Sequence, residues 1–163
     1  MNMMSNLGKA NHGPPDWLTL SSSRTAPTAQ VDRLLNQLNL GTVRRLYSLA
    51  RTQASFGRSL SVLQVAADQG LKVKTGLMLG MGETPEEIEA TLVAILATGC
   101  RYLTLGQYLS PSKKHVSVAR YVQPGEFEDW DRRARALGFA DVAAGPLIRS
   151  SYKAEAMLKA PAA

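Results

Sequence analysis

One unit recurs three times along the sequence: a helical apolar pattern, a glycine and a short apolar run. The glycines that follow the three helical patterns are Gly70, Gly99 and Gly138. Glycine just past a helix is typical of a helix carboxyl terminus, because it adopts a positive φ without strain. Helices that alternate with apolar strands predict a parallel sheet, since parallel strands need long crossovers that cover the sheet. We therefore predict an α/β fold, as either a partial (β/α) barrel or an open doubly wound sheet.

Apolar spacing sets the bounds of the predicted elements. We expect helices over residues 42–47 and 59–69, from residue 84 to Gly99, and ending at Gly138, with strands over residues 71–79, 101–108 and 139–144. The segment over residues 30–40 fits a buried strand or a short helix. Residues expected to face the core share helical spacing: Val43, Leu46 and Tyr47; Leu60, Leu63, Ala66 and Ala67; Ile88, Leu92, Ile95 and Leu96; Phe127, Trp130, Ala134 and Leu137.

The best defined junction lies within residues 71–84. An apolar run there meets three glycines: Gly76, Gly80 and Gly82. Thr84 and Glu87 then have the spacing of a capping box, and Pro85 falls at the first helical position. Small residues at the carboxyl end of a strand let a ligand approach the backbone. A tight strand-to-helix connection without a ligand explains the same glycines, so spacing alone leaves both interpretations open.

Composition limits the classes of function. The 163-residue chain is 45% hydrophobic and 20% charged, which suits one domain with a buried core. Its net charge of +6 suggests an anionic partner. We expect no nucleic acid, because the basic residues are scattered and aromatic residues make up only 6%. We expect no membrane span, since no apolar run approaches the roughly 20 residues that one requires.

Residues 1–28 are rich in Asn, Ser, Thr and Pro and lack periodicity. We predict a flexible leader there, a single domain over residues 29–154 and a tail over residues 155–163. The leader lacks the apolar core of a secretory signal, and we expect a cytoplasmic protein. Its serines and scarce acids resemble an organelle transit peptide, so a mitochondrial or plastid location is the alternative.

Cys100 is the only cysteine in the sequence. It excludes an internal disulfide and any metal or iron-sulfur site built from several cysteines of this chain. Its place after Gly99, at a helix-to-strand junction, predicts a small buried apolar residue.

Polar side chains converge on one predicted rim. In both alternative folds ligands bind at the carboxyl ends of the strands, which here lead into residues 80–83, 106–115 and 145–152. A simple connection does not require amide, hydroxyl, imidazole and guanidinium groups at successive strand ends, so we predict a functional rim. Taken singly, His115 is more typical of a surface or core histidine than of a ligand. No Ser-His-Asp arrangement is supported by spacing.

Long motifs at this rim closely resemble the carboxyl-terminal half of lipoyl synthase, in the order in which that family has them. They are residues 74–84 (KTGLMLGMGET), residues 103–109 (LTLGQYL), then Pro111, Ser112 and His115, residues 120–122 (RYV) with Pro124, Glu126 and Phe127, and residues 149–152 (RSSY) after Gly145 and Pro146. The resemblance covers residues 38–154. It implies a partial (β/α) barrel of the radical S-adenosylmethionine type, with the amino-terminal strands missing.

Lipoyl synthases insert two sulfurs into a protein-bound octanoyl chain. The resemblance implies S-adenosylmethionine and 4Fe-4S clusters: one cluster, on a CxxxCxxC motif, cleaves the cofactor to a radical, and an auxiliary cluster supplies the sulfurs. It also implies the following site residues: Asn39, Gly80, Gly82, Glu83, Gln107 and Tyr108 at the cofactor pocket, Arg149 beside the reacting centre, and Ser150 or Ser151 as a ligand of the auxiliary cluster.

The sequence departs from the family pattern in its cluster ligands. None of the six cluster cysteines is present, and serines alone do not replace thiolates. Residues 38–43 align with a segment that usually reads His-Asn, one variable residue, then Glu-Thr-Val. Leu38 replaces the histidine and Gly41 the glutamate, which weakens the cofactor contacts expected near Asn39.

We therefore hypothesise the carboxyl-terminal half of a lipoyl synthase, from a truncated, split or decaying gene, that neither holds the clusters nor catalyses the reaction alone. The alternative is a noncatalytic module that binds a lipoyl carrier domain or a cysteine-bearing chain. Expected partners are an octanoylated lipoyl carrier protein, a complementary chain or a second copy, because a half barrel exposes edge strands.

Overall fold

The structure is a computed structural model and describes residues 39–152. A 3-10 turn at Arg44–Leu46 leads into the helices and strands, which follow in the order α1 (Tyr47–Ala50), α2 (Phe56–Asp68), β1 (Lys74–Leu79), α3 (Pro85–Ala97), β2 (Tyr102–Gln107), α4 (Pro124–Leu137) and β3 (Asp141–Gly145). The predicted leader, the ambiguous segment before residue 39 and the predicted tail lie outside the described residues. Within residues 39–152, no helix has the length and apolar character needed to cross a membrane.

The three strands form one parallel sheet in the order β1-β2-β3. The chain before α1 adds to the other side of β1. There the Gly41 N–H donates to the Gly76 carbonyl at 2.9 Å, and the Met78 N–H donates to the Gly41 carbonyl at 2.8 Å. The predicted α/β fold, with parallel strands joined by helical crossovers, is confirmed.

The three glycines predicted to end helices all have positive φ. The values are 76° at Gly70, 85° at Gly99 and 120° at Gly138. At two of these ends the next residue also closes the helix: the Leu71 N–H donates to the Ala66 carbonyl at 3.2 Å, and Phe139 does the same to Ala134 at 3.2 Å. This paired arrangement satisfies carbonyls that the last helical turn leaves free.

The same closure explains why the predicted strand bounds were too long. The N–H groups of Leu71 and Phe139 close the preceding helices and so do not join the sheet, and the observed strands begin at Lys74 and Asp141 instead of residues 71 and 139. Helix α2 begins at Phe56, three residues earlier than predicted, because the Ser55 hydroxyl caps it by accepting from the Arg58 N–H at 3.1 Å. The helix predicted over residues 42–47 is the 3-10 turn followed by α1.

The start of α3 is the capping box that the sequence predicts. The Thr84 hydroxyl accepts from the Glu87 N–H at 3.3 Å, and the Glu87 carboxylate accepts from the Thr84 N–H at 2.9 Å. Pro85 occupies the first helical turn, where its missing N–H costs nothing.

Helices α2, α3 and α4 cover one face of the sheet and share one apolar core with it. The buried apolar strand residues on this face are Leu77, Leu79, Leu103, Leu105 and Val142. All the helical residues predicted to face the core belong to it; those only partly buried are Leu60, Ala67, Leu96 and Leu137.

The opposite face of the sheet, which we call the inner face, carries mostly small or polar residues, with Met78 and Tyr102 as its large side chains. Since side chains alternate along a strand, the register fixes the three rows of this face: Lys74, Tyr102 and Asp141; Gly76, Thr104 and Ala143; Met78, Gly106 and Gly145. Its glycines let another backbone approach the sheet closely.

The packing of α3 predicts different effects at neighbouring positions. Leu92 is fully buried, whereas Val93 is 51% exposed. We expect Leu92→Ala to lower the free energy of unfolding by about 2–5 kcal/mol, because it leaves a cavity. Val93→Ala, the matched control, should change it by less than about 1 kcal/mol. Urea denaturation measures both, and equal losses would contradict this arrangement of α3.

Candidate functional site

Residues 80–83, which we call the glycine turn, follow β1 and fold around a buried carboxylate. Glu83 accepts hydrogen bonds from the N–H groups of Gly80 and Met81, the second at 2.9 Å. The value of φ is 110° at Gly80 and 102° at Gly82, where any other residue is strained. The glycines are therefore required by the turn itself, and Glu83 holds the turn closed.

Arg45 holds the glycine turn from the outside. Its guanidinium donates to the Gly82 carbonyl at 2.8 Å and to the two carboxylate oxygens of Glu87 at 2.6 and 2.9 Å. The hydrogen bonds from Arg45 to the Glu87 carboxylate hold the pKa of Glu87 below its usual range. Because Glu87 also caps α3, one ion pair joins the helix, the turn and the chain before α1.

Gln107, the last residue of β2, uses its side-chain amide inside the protein. Its Nε2 donates to the Arg120 carbonyl at 3.2 Å, and its Oε1 accepts from the Val122 N–H at 2.9 Å. These bonds bring this segment beside the glycine turn, where the Gly80 carbonyl accepts from Ala119 at 2.8 Å. A Cβ at Gly80 would lie 2.4 Å from Gln107 Nε2 and 2.5 Å from the Arg120 oxygen, so the position accommodates only glycine.

Tyr108 ties down the loop that follows β2. Its ring is buried, and its hydroxyl donates to the Val116 carbonyl at 2.8 Å. Within this loop the Ser112 hydroxyl lies 2.8 Å from Nδ1 of His115, and both residues are exposed. The structure therefore places His115 on the surface, where its contact is with the Ser112 hydroxyl.

Residues 146–152, which follow β3, form a strap across the inner face. A Cβ at Gly106 would lie 2.2 Å from the Ile148 carbonyl oxygen, so the strap crosses β2 against its backbone. Farther along, the Tyr152 carbonyl accepts a hydrogen bond from Lys74 Nζ of β1 at 2.8 Å. The three predicted reaction-centre residues lie between these two contacts: exposed Arg149, half-buried Ser150 and exposed Ser151.

Asn39 lies beside β1, against the inner face. Its Oδ1 is 3.1 Å from the position that a Cβ of Gly76 would take, so the glycine makes room for the amide. Arg51 donates a hydrogen bond to the Asn39 carbonyl and, at 3.3 Å, to that of Leu40. The guanidinium of Arg51, which directly follows α1, thus fixes the backbone at residues 39 and 40.

The structure brings the predicted rim residues of β1 and β2 together, and it bonds their polar atoms to the backbone. Sequence reasoning missed the guanidinium of Arg45 and the amine of Lys74. The available signal for Lys74 was a lysine in a mostly apolar predicted strand. Arg45 gave no such signal, because an arginine in a polar segment is common.

Cys100 does not fit a cluster ligand. It is fully buried, and its Sγ lies 3.2 Å from the Val73 carbonyl oxygen. Burial raises the pKa of its thiol from 9.0 to about 12, whereas iron binds thiolates. Residues 39–152 contain no group of three or more His, Cys, Asp or Glu side chains that could hold a metal. The prediction that Cys100 is a small buried residue is confirmed, and these residues do not fit a 4Fe-4S cluster.

Curated relatives with the same name cover most of this chain. Lipoyl synthase of Caldicellulosiruptor saccharolyticus is 47% identical over 123 residues, which are 74% of this chain and 43% of the relative. That of Chlorobium limicola is 44% identical over 140 residues, 82% of this chain and 48% of the relative. That of Chlorobium chlorochromatii is 50% identical over 118 residues, which are 72% of this chain and 40% of the relative. The chain spans less than half the length of these relatives. No protein-family model matches it.

The buried carboxylate predicts a specific loss on neutralisation. Glu83→Gln replaces one acceptor oxygen by an NH2 group that faces a backbone N–H, so we expect the free energy of unfolding to fall by about 1–3 kcal/mol. The amides of Gly80 and Met81 should exchange with solvent faster, as NMR measures. Glu89→Gln, on the exposed side of α3, is the control; an equal effect there would rule out the assigned role.

Burial also predicts an unreactive thiol. Because the raised pKa keeps Cys100 protonated at pH 8.5, we expect iodoacetamide to label the folded protein at least about a hundredfold more slowly than the urea-unfolded protein. Between pH 7 and 9 the thiol stays protonated, so the labelling rate of the folded protein should remain low throughout. Mass spectrometry follows the labelling, and rapid labelling at pH 8.5 in the folded state would contradict the buried position.

Proposed function

The chain belongs to the lipoyl synthase family and matches its carboxyl-terminal half, and from this we propose that it forms that half of a working lipoyl synthase. The reaction inserts two sulfurs into a protein-bound octanoyl chain. One observation carries the proposal: residues 80–83 and 107–108, which hold family motifs, lie at the carboxyl ends of β1 and β2, and the strap that holds residues 149–151 leaves the carboxyl end of β3. Parallel α/β proteins bind ligands at this edge.

We propose further that the sheet is part of a (β/α) barrel. Strand order follows chain order, and helices α2, α3 and α4 share one core on one face. A doubly wound sheet carries helices on both faces, whereas a barrel leaves the second face to its interior. The glycines and small side chains of the inner face support an interior that holds ligands.

In this proposal the glycine turn borders S-adenosylmethionine. Gly82 is exposed, so the backbone there is open to a ligand, and Asn39 lies at the neighbouring edge of the inner face. Glu83 and Gln107 act by holding this edge in shape, since their polar atoms bond to the backbone. When bound, S-adenosylmethionine would supply, after reductive cleavage by a 4Fe-4S cluster, the radical that removes hydrogen from the octanoyl chain.

Arg149 supplies a cation and Ser150 or Ser151 an oxygen ligand for an auxiliary cluster whose thiolates come from outside residues 39–152. Because Cys100 is buried and does not fit a cluster, we propose that the isolated chain is inactive and works with a cysteine-bearing complement. The substrate is an octanoylated carrier protein. The net charge of +6 supports an acidic carrier domain, since complementary charge speeds association.

A chimera tests this function. Residues 39–152 would replace the matching segment of Chlorobium limicola lipoyl synthase, with lipoyl formation on an octanoylated carrier domain followed by mass spectrometry. We expect activity within about tenfold of the parent. Either Ser150→Ala or Ser151→Ala should then reduce it by on the order of a hundredfold, as loss of metal-site groups does.

Exposed Ser117→Ala is the matched control and should leave the chimera active. The isolated chain, reconstituted anaerobically with iron and sulfide, should hold no stoichiometric cluster and cleave no S-adenosylmethionine. A folded but inactive chimera would refute the proposed function. A stable cluster on the isolated chain would refute its dependence on a complement.

A further inference from the structure

The strap is fixed to the inner face at two points. At the first point, Ile148 packs on Tyr102 and Ala143. Its carbonyl oxygen lies only 2.2 Å from the position that a Cβ of Gly106 would take. Its side chain also touches β3, since its Cγ1 lies 3.3 Å from the Cβ position of Gly145. The backbone contact requires glycine at position 106, whereas a Cβ at position 145 would press against the Ile148 side chain.

The second point is a buried amine. Lys74 is only 5% exposed, and its Nζ donates to the Tyr152 carbonyl at 2.8 Å. Lys74 shares a row of the inner face with Tyr102 and Asp141. Burial lowers the pKa of this amine, and the nearby Asp141 carboxylate partly opposes that effect.

A buried lysine at position 74 is less favourable for stability than an apolar side chain of similar size. Burying an ammonium group disfavours its charge, and an unbranched apolar side chain such as methionine fills a similar volume without that cost. What the lysine adds is a hydrogen-bond donor that reaches from β1 to the backbone of the strap. Hydrogen bonds from charged groups are stronger than neutral ones, so this donor fixes the carbonyl it contacts.

The two points bracket the residues of interest. Ile148 is held on β2 and Tyr152 is held by β1, so residues 149–151 lie between two points of attachment to the sheet. Ile148 and Tyr152 are also tied to their own loop, because Ile148 donates to Gly145 at 3.1 Å and Tyr152 donates to Arg149 at 2.8 Å.

We propose that Lys74 is a positioning residue, which holds the strap across the inner face and thereby sets where residues 149–151 lie. The position of the strap follows from contacts within residues 39–152. That this position matters for sulfur insertion rests on the proposed function, which assigns the reaction to residues 149–151.

Hydrogen exchange with mass spectrometry tests the role of Lys74 in the full chain. Lys74→Met removes the donor and keeps the volume, so we expect the amides of residues 147–152 to exchange about tenfold faster or more, while β2 amides are unchanged. Lys74→Arg restores a charged donor and should restore most of the protection. Exposed Lys113→Met is the control and should change nothing in the strap.

Gly106→Ala provides a second variant that leaves Lys74 intact. In this variant the strap amides should also exchange faster, because the added methyl group would displace the Ile148 carbonyl. If Gly106→Ala exposes the strap but Lys74→Met does not, Lys74 is not a positioning residue. Failure of Lys74→Arg to restore protection would also overturn the proposal. An inactive chimera with a protected strap counts against the proposed function alone.

Discussion

The two faces of the parallel sheet differ in character, and the rest of the structure depends on this difference. Leucines and Val142 point from one face into the core shared with the helices. The same register turns glycines, Ala143 and Lys74 to the inner face. Because side chains alternate along each strand, one register determines both faces. The covered face supplies stability, and the inner face is left able to receive a backbone or a ligand.

Two charged side chains, Glu83 and Arg45, fix the shape of the glycine turn at the carboxyl end of β1. Glu83 gathers two N–H groups of the glycine turn inside the protein, while Arg45 takes the Gly82 carbonyl and the Glu87 carboxylate outside it. Exposed ion pairs contribute little by attraction alone. Here the guanidinium also bonds a carbonyl, so the pair fixes a backbone shape. Gln107 likewise fixes a backbone segment, because its neutral side-chain amide bonds the backbone of Arg120 and Val122. These hydrogen bonds therefore fix the shape of the backbone at this edge of the sheet.

The strap and the cysteine separate two requirements of the family's chemistry. Thiolates for iron-sulfur clusters do not come from Cys100, which is held in the core as a protonated thiol. The placement of residues 149–151 needs no thiolate, because backbone contacts at Ile148 and Tyr152 provide it. In the proposed enzyme this half supplies shape and a cation, and its complement supplies the clusters.

The sequence by itself determined the repeated helix-glycine-strand unit, the capping box at Thr84 and the core face of each helix. These features arise from neighbours within one or two turns, so local spacing records them. It misplaced the strand starts, because residues after Gly70 and Gly138 close the helices first. Only the tertiary structure decided that Arg45 meets Glu87, 42 residues away, and that Lys74 meets Tyr152, 78 residues away. Such contacts depend on how the strands and helices pack, which no local pattern specifies.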